Sequence, residues 1–155
     1  MELLYDENVV PRILMTLTAI ALAVGPAIAD FNKTHATNPL WPPHARFHVV
    51  WQVITNSSLC LVMLYILWTP LVEEYNLLLA LAAIVQGAIL VPVYVTIACM
   101  GLFDGALKDV NGIRPFKFNI GGKILELDTN VVGFTGIISV LIIACSNIVS
   151  TVPAA

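Results

Sequence analysis

The three histidines of this 155-residue chain all fall within one short stretch, residues 30–52 (DFNKTHATNPLWPPHARFHVVWQ). The same stretch holds Asp30, Arg46 and two of the three tryptophans, whereas the sequence on either side is mostly apolar. Imidazole and carboxylate groups exchange protons near neutral pH, and neutral imidazole also binds metal ions. Because polar groups at membrane depth are costly, their concentration between apolar segments indicates a functional region.

The leading candidates for proton transfer are Asp30, His44 and His48. Positions 44, 48, 52 and 56 are four residues apart, so a helix over this segment would carry a slowly drifting polar stripe of His44, His48, Gln52 and Asn56. The stripe would run roughly 18 Å at about 1.5 Å per residue, about halfway through the hydrocarbon. It is therefore expected to face other helices or a wet cavity.

Further polar and aromatic side chains are expected to bind and orient a substrate. The stiff segment 38–43 (NPLWPP) would form a preorganised mouth in front of the helix. An alternative stays open for the amide side chains, which could instead form hydrogen bonds between helices. The expected substrate-binding residues are His35, Asn38, Trp41, Arg46, Trp51, Gln52, Asn56, Gln86 and Tyr94.

The histidine pair also allows a metal site, in which Asp30 or His35 would complete three ligands. Membrane di-iron enzymes need more than the three histidines present, so that class is excluded and a single zinc ion is the remaining alternative. The favoured interpretation has neither metal nor cofactor. The three cysteines lie far apart in apolar segments, which excludes chemistry of the paired-cysteine kind.

Composition places the chain in a membrane. Its mean hydropathy is +0.90, with 59% hydrophobic and 11% charged residues, whereas soluble domains carry about 25% charged residues. Four apolar stretches each approach the roughly 20 residues that span a bilayer as a helix. The predicted fold is an all-α integral membrane protein, a four-transmembrane-helix bundle forming one domain over residues 1–155. The predicted helices are about 11–29, 44–69, 73–101 and 130–152.

The connections are also predicted to be ordered. The first loop should be structured, and residues 115–119 and 123–127 around Gly121-Gly122 predict a short β-hairpin in the third loop. The hairpin could cover the histidine loop as a lid or lie on the lipid headgroups. Pro26 and Pro92, within helices 1 and 3, would kink them and open a cavity, or would simply be tolerated.

The distribution of basic residues predicts the orientation. One side of the predicted topology carries only Arg12, so the positive-inside rule places both long loops in the cytoplasm and both termini in the lumen or outside. The acidic leader MELLYDEN argues against a cleaved signal peptide, so the first helix is expected to be retained. The basic residues on the cytoplasmic side are Lys33, Arg46, Lys108, Arg114, Lys117 and Lys123.

The chain resembles the four-helix domain of emopamil-binding and sigma-2-receptor-like (EXPERA-type) membrane proteins and, more loosely, small membrane terpene cyclases. The likeness rests on four spans, on Pro26 shortly before Asp30, on the Pro-Pro segment before helix 2, and on Gln52 and Pro92. The resemblance implies a lipophilic cavity for sterol- or terpenoid-like molecules. That family has an acidic residue within helix 2 where this chain has histidine and glutamine, so carboxylate chemistry would rest on Asp30 assisted by histidine.

These features favour a membrane-embedded enzyme that isomerises, cyclises or hydrates a lipophilic small molecule by acid–base catalysis. The alternatives are a non-catalytic lipid- or sterol-binding protein and an accessory subunit of a larger membrane complex. The expected partners are a lipophilic substrate and membrane lipids, and a homo-oligomer is compatible with the sequence. No phosphate loop, nucleophile elbow or dinucleotide fingerprint is present, and the modest charge makes nucleic acid an unexpected partner.

Overall fold

The computed structural model describes residues 8–69, 75–107 and 112–150. Over these ranges the chain forms four α-helices, a short 3₁₀ turn (Met100–Leu102) after the third helix, and one antiparallel sheet of two strands. In chain order the elements are α1 (Val9–Asp30), α2 (Pro43–Trp68), α3 (Tyr75–Cys99), β1 (Phe116–Ile120), β2 (Lys123–Leu127) and α4 (Thr129–Ser150).

Four helices in the described part of the chain are long and apolar enough to cross a membrane, which supports a multi-pass membrane protein. In each of these spans 22% or less of the residues are buried inside the bundle, so most of the apolar side chains face outward. The predicted boundaries of α1 and α2 differ from the observed ones by one or two residues. Four features named from the sequence lie outside the described residues. They are the predicted start of the third helix, the turn at Pro70, Lys108 and the predicted end of the fourth helix.

The helices pack around α1, which contacts α2 and α4 most extensively, while α3 packs against α4 and α2. Each helix contributes a narrow stripe to the interior. On α2 this stripe repeats at intervals of three and four residues, the spacing that keeps side chains on one helix face. The buried stripe of α2 is Val53, Asn56, Cys60, Met63 and Leu67. The core residues of the bundle include Met15, Leu22, Leu67, Leu79, Ala82, Leu90, Leu141, Ala144 and Ile148.

Local sequence explains where the helices begin and end. Pro43 occupies the first turn of α2. N–H groups in the first turn have no hydrogen-bond partner within the helix, so the lack of an N–H in proline costs nothing there. The side chain of Asn32 donates hydrogen bonds to the carbonyl oxygens of Ile28 (2.9 Å) and Ala29 (2.8 Å) and so closes the end of α1. Asp128 caps α4, because its Oδ1 accepts hydrogen bonds from the main-chain N–H groups of the second and third residues after it.

One charged side chain is buried at the end of the bundle that holds the start of α1. Arg12 is 7% exposed, and its guanidinium carbon lies 5.2 Å from the centre of the Trp68 ring on α2, a cation–π arrangement. Trp68 Nε1 donates a hydrogen bond of 2.9 Å to Thr16 Oγ1, which donates in turn to the Arg12 carbonyl. This end of the α1–α2 interface is therefore polar and ordered.

The predicted hairpin is confirmed. Phe116 pairs with Leu127 at the open end and Ile120 pairs with Lys123 at the turn. Gly121 and Gly122 have φ values of +57° and +83°, the left-handed region that a two-residue type I′ turn requires. Every residue of both strands is exposed, so the hairpin stands away from the helical core.

A groove runs between α1 and α4 because glycines line it. A Cβ added at Gly25, Gly133 or Gly136 would meet no atom within 4 Å, so each glycine leaves open space beside the helix. Two apolar cavities of about 370 and 230 Å³ lie in this groove and share Gly133. The smaller one also borders Pro26, and α1 continues past that proline to Asp30.

Candidate functional site

The first loop folds back on the end of α1 through its own main-chain hydrogen bonds. The carbonyl of Asp30 accepts from the N–H of Ala36 (2.8 Å), and the carbonyl of Asn32 accepts from His35 (3.2 Å) and Thr37 (3.0 Å). These bonds reverse the chain within six residues of the helix end. They confirm that the loop is structured, and they bring His35 next to Asp30, the last residue of α1.

Asn38 holds the second half of this loop. Its side chain is completely buried; Nδ2 donates to the Thr34 carbonyl (3.0 Å) and Oδ1 accepts from the N–H of Leu40 (3.0 Å). The main-chain carbonyl of Asn38 also accepts from the N–H of Trp41 (3.2 Å). A single amide side chain thus fixes the position of the tryptophan relative to the histidine.

The loop assembles a carboxylate, an imidazole and a hydroxyl group. His35 Nδ1 lies 3.5 Å from Asp30 Oδ1 and 2.7 Å from Thr34 Oγ1. The side chains of Asp30 and His35 are only 23% and 25% exposed, so both are partly shielded from solvent. The Trp41 ring packs edge-to-face against the imidazole with ring centres 5.1 Å apart, which restricts rotation of the histidine.

His35 and Trp41 form one wall of a cavity of about 290 Å³. The opposite wall comes from the third loop and from the start of α4, so the cavity lies between the two long loops at one end of the bundle. The third-loop wall is the segment before the hairpin rather than the hairpin itself. The cavity is lined by His35, Trp41, Ala106, Leu107, Gly112, Ile113 and Asn130.

Asn130 lies between this polar cavity and the apolar groove between α1 and α4. It lines both the 290 Å³ cavity and the neighbouring 230 Å³ cavity, which reaches down to Gly133 and Ile137. The groove continues along α4 through Gly136 to Val140. A polar pocket at the loops is thus adjacent to an apolar groove along the helices.

The polar stripe of α2 does not face the interior as predicted. His44, His48 and Gln52 are exposed, and only Asn56, 8% exposed, is buried. The prediction is wrong because the spacing does not say which way the stripe is turned, and His44 faces outward. A four-residue step on a helix turns about 400°, so each residue lies roughly 40° further around than the one before. Three such steps carry the stripe from the outside of α2 at His44 to the bundle interior at Asn56.

The candidate site residues therefore separate into two places. Asp30 contacts His35, whereas His44 Nε2 lies 3.0 Å from His48 Nε2 on the exposed side of α2. Trp51 is 58% exposed beside His48, and Arg46 borders a shallow depression together with Phe47 and Pro43. In the part of the chain that the structure describes, no group of three or more His, Cys, Asp or Glu side chains could hold a metal ion.

Gln86 and Tyr94 form hydrogen bonds between helices. Gln86 is completely buried; its Nε2 donates to the Met15 carbonyl at 3.2 Å and its Oε1 accepts from the hydroxyl of Thr18. The Tyr94 hydroxyl is hydrogen-bonded to Thr135 Oγ1 on α4 at 2.8 Å. The Gln86 contact corresponds to the alternative that the sequence left open for amide side chains, hydrogen bonding between helices. The Tyr94 contact also joins two helices, but it is exposed.

Two polar residues of the site were missed from the sequence: Thr34, which contacts His35, and Asn130, which lines the cavity. Thr34 contacts His35 directly, and its position beside Asn32 is a recognisable turn signal, because Asn32 Oδ1 accepts from both the N–H and the hydroxyl of Thr34. Asn130 was not among the site residues expected from the sequence. Nothing in the local sequence indicates that the third loop brings it opposite His35.

The fold and this site define a four-helix protein with the properties of a multi-pass membrane protein and a polar pocket at one end. The sequence profile of a family of unknown function, DUF6640, matches residues 14–116, well over half of the chain, so the protein belongs to that family. The matched region includes Asp30, His35 and Trp41 but not α4. Neither the curated proteins nor the solved structures contain a match.

Proposed function

We propose that this protein is a membrane-embedded enzyme that moves protons to or from a lipophilic small molecule, as an isomerase, cyclase or hydratase would. One observation carries the proposal. His35 lines the 290 Å³ cavity while its Nδ1 is engaged by Asp30 and Thr34. Thr34 Oγ1 is the closer partner of Nδ1, at 2.7 Å, and Asp30 Oδ1 lies 3.5 Å away. An imidazole that is oriented through one nitrogen beside a carboxylate can use its other nitrogen as a general acid or base.

The roles follow from the contacts. Asp30 orients the imidazole and stabilises its protonated form, and Nε2, on the far edge of the ring, exchanges the proton with the bound molecule. Trp41 keeps the ring in place and provides an apolar surface for the substrate. Compared with the expectation from the sequence, proton transfer moves from His44 and His48 to His35.

The surroundings favour a lipophilic substrate. Asn130 borders both the polar cavity and the apolar groove between α1 and α4, so the two lie side by side. A molecule with a polar end and a hydrocarbon body that occupied both would have its reactive end at His35 and its body along Gly133. The resemblance to EXPERA-type proteins agrees with such a ligand. A groove between membrane helices is also reached directly from the bilayer, where lipophilic molecules reside.

The test measures proton exchange, which can be detected before the product of the reaction is identified. The full chain is purified in mild detergent, its co-purifying lipophilic compounds are identified by native mass spectrometry, and the complex is incubated in D₂O. We expect deuterium to enter the bound compound at carbon. His35→Asn keeps a side-chain nitrogen near Nδ1 but removes Nε2, so the rate should fall by roughly 10²–10⁴-fold while the compound stays bound.

Three outcomes would contradict the proposal. Binding without deuterium incorporation in the unaltered protein would indicate a non-catalytic lipid-binding protein. Incorporation that is unchanged in His35→Asn would place the chemistry elsewhere. A folded protein that purifies without any lipophilic compound, and gains none when incubated with a membrane lipid extract, would exclude the binding site itself.

A further inference from the structure

We propose that His44 and His48 form a chelating site for a divalent transition-metal ion on the exposed side of α2. This site is separate from the Asp30–His35 pair and does not depend on the proposed enzyme activity. The two residues are four positions apart, one above the other on the same helix face. Both side chains are exposed, so an ion can reach them without opening the bundle.

The distance between the two imidazoles fits shared coordination. His44 Nε2 and His48 Nε2 are 3.0 Å apart. With metal–nitrogen bonds of about 2.0–2.1 Å, two nitrogens bound to one ion at 90–109° are roughly 2.9–3.4 Å apart. The ring planes are inclined at 79°, and the same nitrogen of each ring is directed toward its partner. Without an ion, a hydrogen bond between the rings keeps this geometry. When an ion binds, the ring that donated from Nε2 carries its proton on Nδ1 instead, so that both Nε2 atoms present lone pairs to the metal.

The position along α2 keeps the pair within reach of water. A helix of 26 residues is about 39 Å long, whereas the hydrocarbon layer is about 30 Å thick, so its first turns extend to the interface. Aromatic residues surround the pair: the Phe47 ring stacks on His44 with centres 6.1 Å apart, and Trp51 lies 6.0 Å from His48. Aromatic side chains are typical of the membrane–water interface.

The ligand type selects the ion. Neutral imidazole binds Zn²⁺, Ni²⁺ and Cu²⁺ in preference to Mg²⁺ or Ca²⁺, which take oxygen ligands. Among the residues that the structure describes, no third His, Cys, Asp or Glu side chain joins the pair. The remaining coordination positions would therefore hold water, and the site is a two-histidine chelate rather than a closed structural site.

The test uses Cu²⁺ and Ni²⁺ as probes on the EDTA-treated full-length protein in detergent. Electron paramagnetic resonance of one equivalent of Cu²⁺ should show hyperfine coupling to two imidazole nitrogens, and calorimetry with Ni²⁺ should give one saturable site. His48→Asn should leave coupling to one nitrogen. Removing a residue that only hydrogen-bonds to a metal ligand weakens metal binding roughly 10–100-fold. Removing a ligand itself should therefore weaken Ni²⁺ binding at least about tenfold.

A matched control keeps the number of histidines. The double variant His48→Val/Val49→His changes only the spacing, from four residues to five, which places the two imidazoles about 140° apart around the helix. Chelation should be lost in this variant although composition is unchanged. Equal Ni²⁺ affinity in the unaltered and double-variant proteins, or coupling to a single nitrogen in the unaltered protein, would overturn the proposal. Circular dichroism confirms that each variant retains its helices.

Discussion

The side-chain amide of Gln86 on α3 donates a hydrogen bond to the main-chain carbonyl of Met15 on α1, 71 residues earlier in the chain, at a distance of 3.2 Å. The other end of the same amide accepts a hydrogen bond from Thr18, one turn further along α1. Gln86 is completely buried, so both ends of its polar group are satisfied inside the bundle. This residue is a buried polar connection between two helices.

Replacing Gln86 with leucine should therefore destabilise the bundle. The substitution keeps a large side chain but removes both hydrogen bonds, and such bonds between membrane helices contribute on average about 0.6 and at most about 1.7 kcal/mol. We expect a loss of about 1 kcal/mol, measured by unfolding in mixed micelles. Gln52→Leu is the matched control, because Gln52 is exposed on α2 and its loss should not lower stability. Equal effects of the two changes would show that Gln86 has no special role.

Asn38 should control the order of the first loop. Its buried amide bonds the carbonyl of Thr34 and the N–H of Leu40, and leaving such groups unpaired costs about 1–3 kcal/mol. Asn38→Ala should speed hydrogen–deuterium exchange of the peptide covering residues 31–42. Asn119→Ala is the control, because it removes a side-chain hydrogen bond to the main-chain N–H of Gly122 in the hairpin turn. It should leave the peptide covering residues 31–42 protected from exchange. A loop equally protected in both variants would exclude this role of Asn38.

The groove glycines should decide whether a lipophilic compound stays bound. A Cβ at Gly133 or Gly136 would meet no atom within 4 Å, and the rest of a leucine side chain would extend into the groove. The protein should therefore fold while the groove is blocked. We expect Gly133→Leu to reduce the amount of co-purifying compound at least several-fold by mass spectrometry. Gly87→Leu on α3 also enters open space, but Gly87 does not border either groove cavity. It should retain the compound. Retention in Gly133→Leu would place the ligand elsewhere.

The hairpin turn should tolerate only residues that adopt positive φ. Gly121 has φ +57°, where valine would cost about 1–2 kcal/mol and asparagine is readily accommodated. Gly121→Val should increase amide exchange in residues 116–127, whereas Gly121→Asn should leave it unchanged. The cross-strand pair of Lys117 Nζ and Glu126 Oε1, 2.7 Å apart but exposed, adds only roughly 0.2–1 kcal/mol and would not compensate. Similar exchange in the two variants would contradict this account.

The orientation predicted from the basic residues can be measured on the hairpin. In a background with the native cysteines replaced by alanine, Ile124→Cys places a thiol on an exposed position. If the third loop is cytoplasmic, a membrane-impermeant maleimide should label it only after permeabilisation in sealed vesicles whose cytoplasmic face is turned inward. Asn8→Cys, at the start of α1, should show the opposite behaviour. Labelling of Ile124→Cys from outside without permeabilisation would reverse the predicted topology.

The helices and the hairpin could be predicted because their signals are local. Hydropathy and segment length define α1 and α2 within one or two residues, since a membrane segment must be apolar over about 20 residues. Gly121-Gly122 between alternating residues predicts the turn, because only such residues readily adopt its backbone angles.

The site could not be assembled from the sequence because it depends on direction and on long-range packing. The four-residue spacing of His44, His48 and Gln52 places them on one helix face, but periodicity does not say whether that face is turned toward the bundle. His35 lies in a loop without periodicity, where its contact with Asp30 arises from main-chain hydrogen bonds. The approach of Asn130 to the first loop depends on how α4 packs against α1.

The exposed hairpin also offers a solution to a practical obstacle. A chain of 16.8 kDa that lies mostly within a detergent micelle has little mass for particle alignment in electron cryomicroscopy. The two strands are paired along their full length and exposed on both faces. A rigid scaffold protein grafted between Gly121 and Gly122 would project from the micelle while the helices stay intact, and would provide the fiducial mark that the bundle itself lacks.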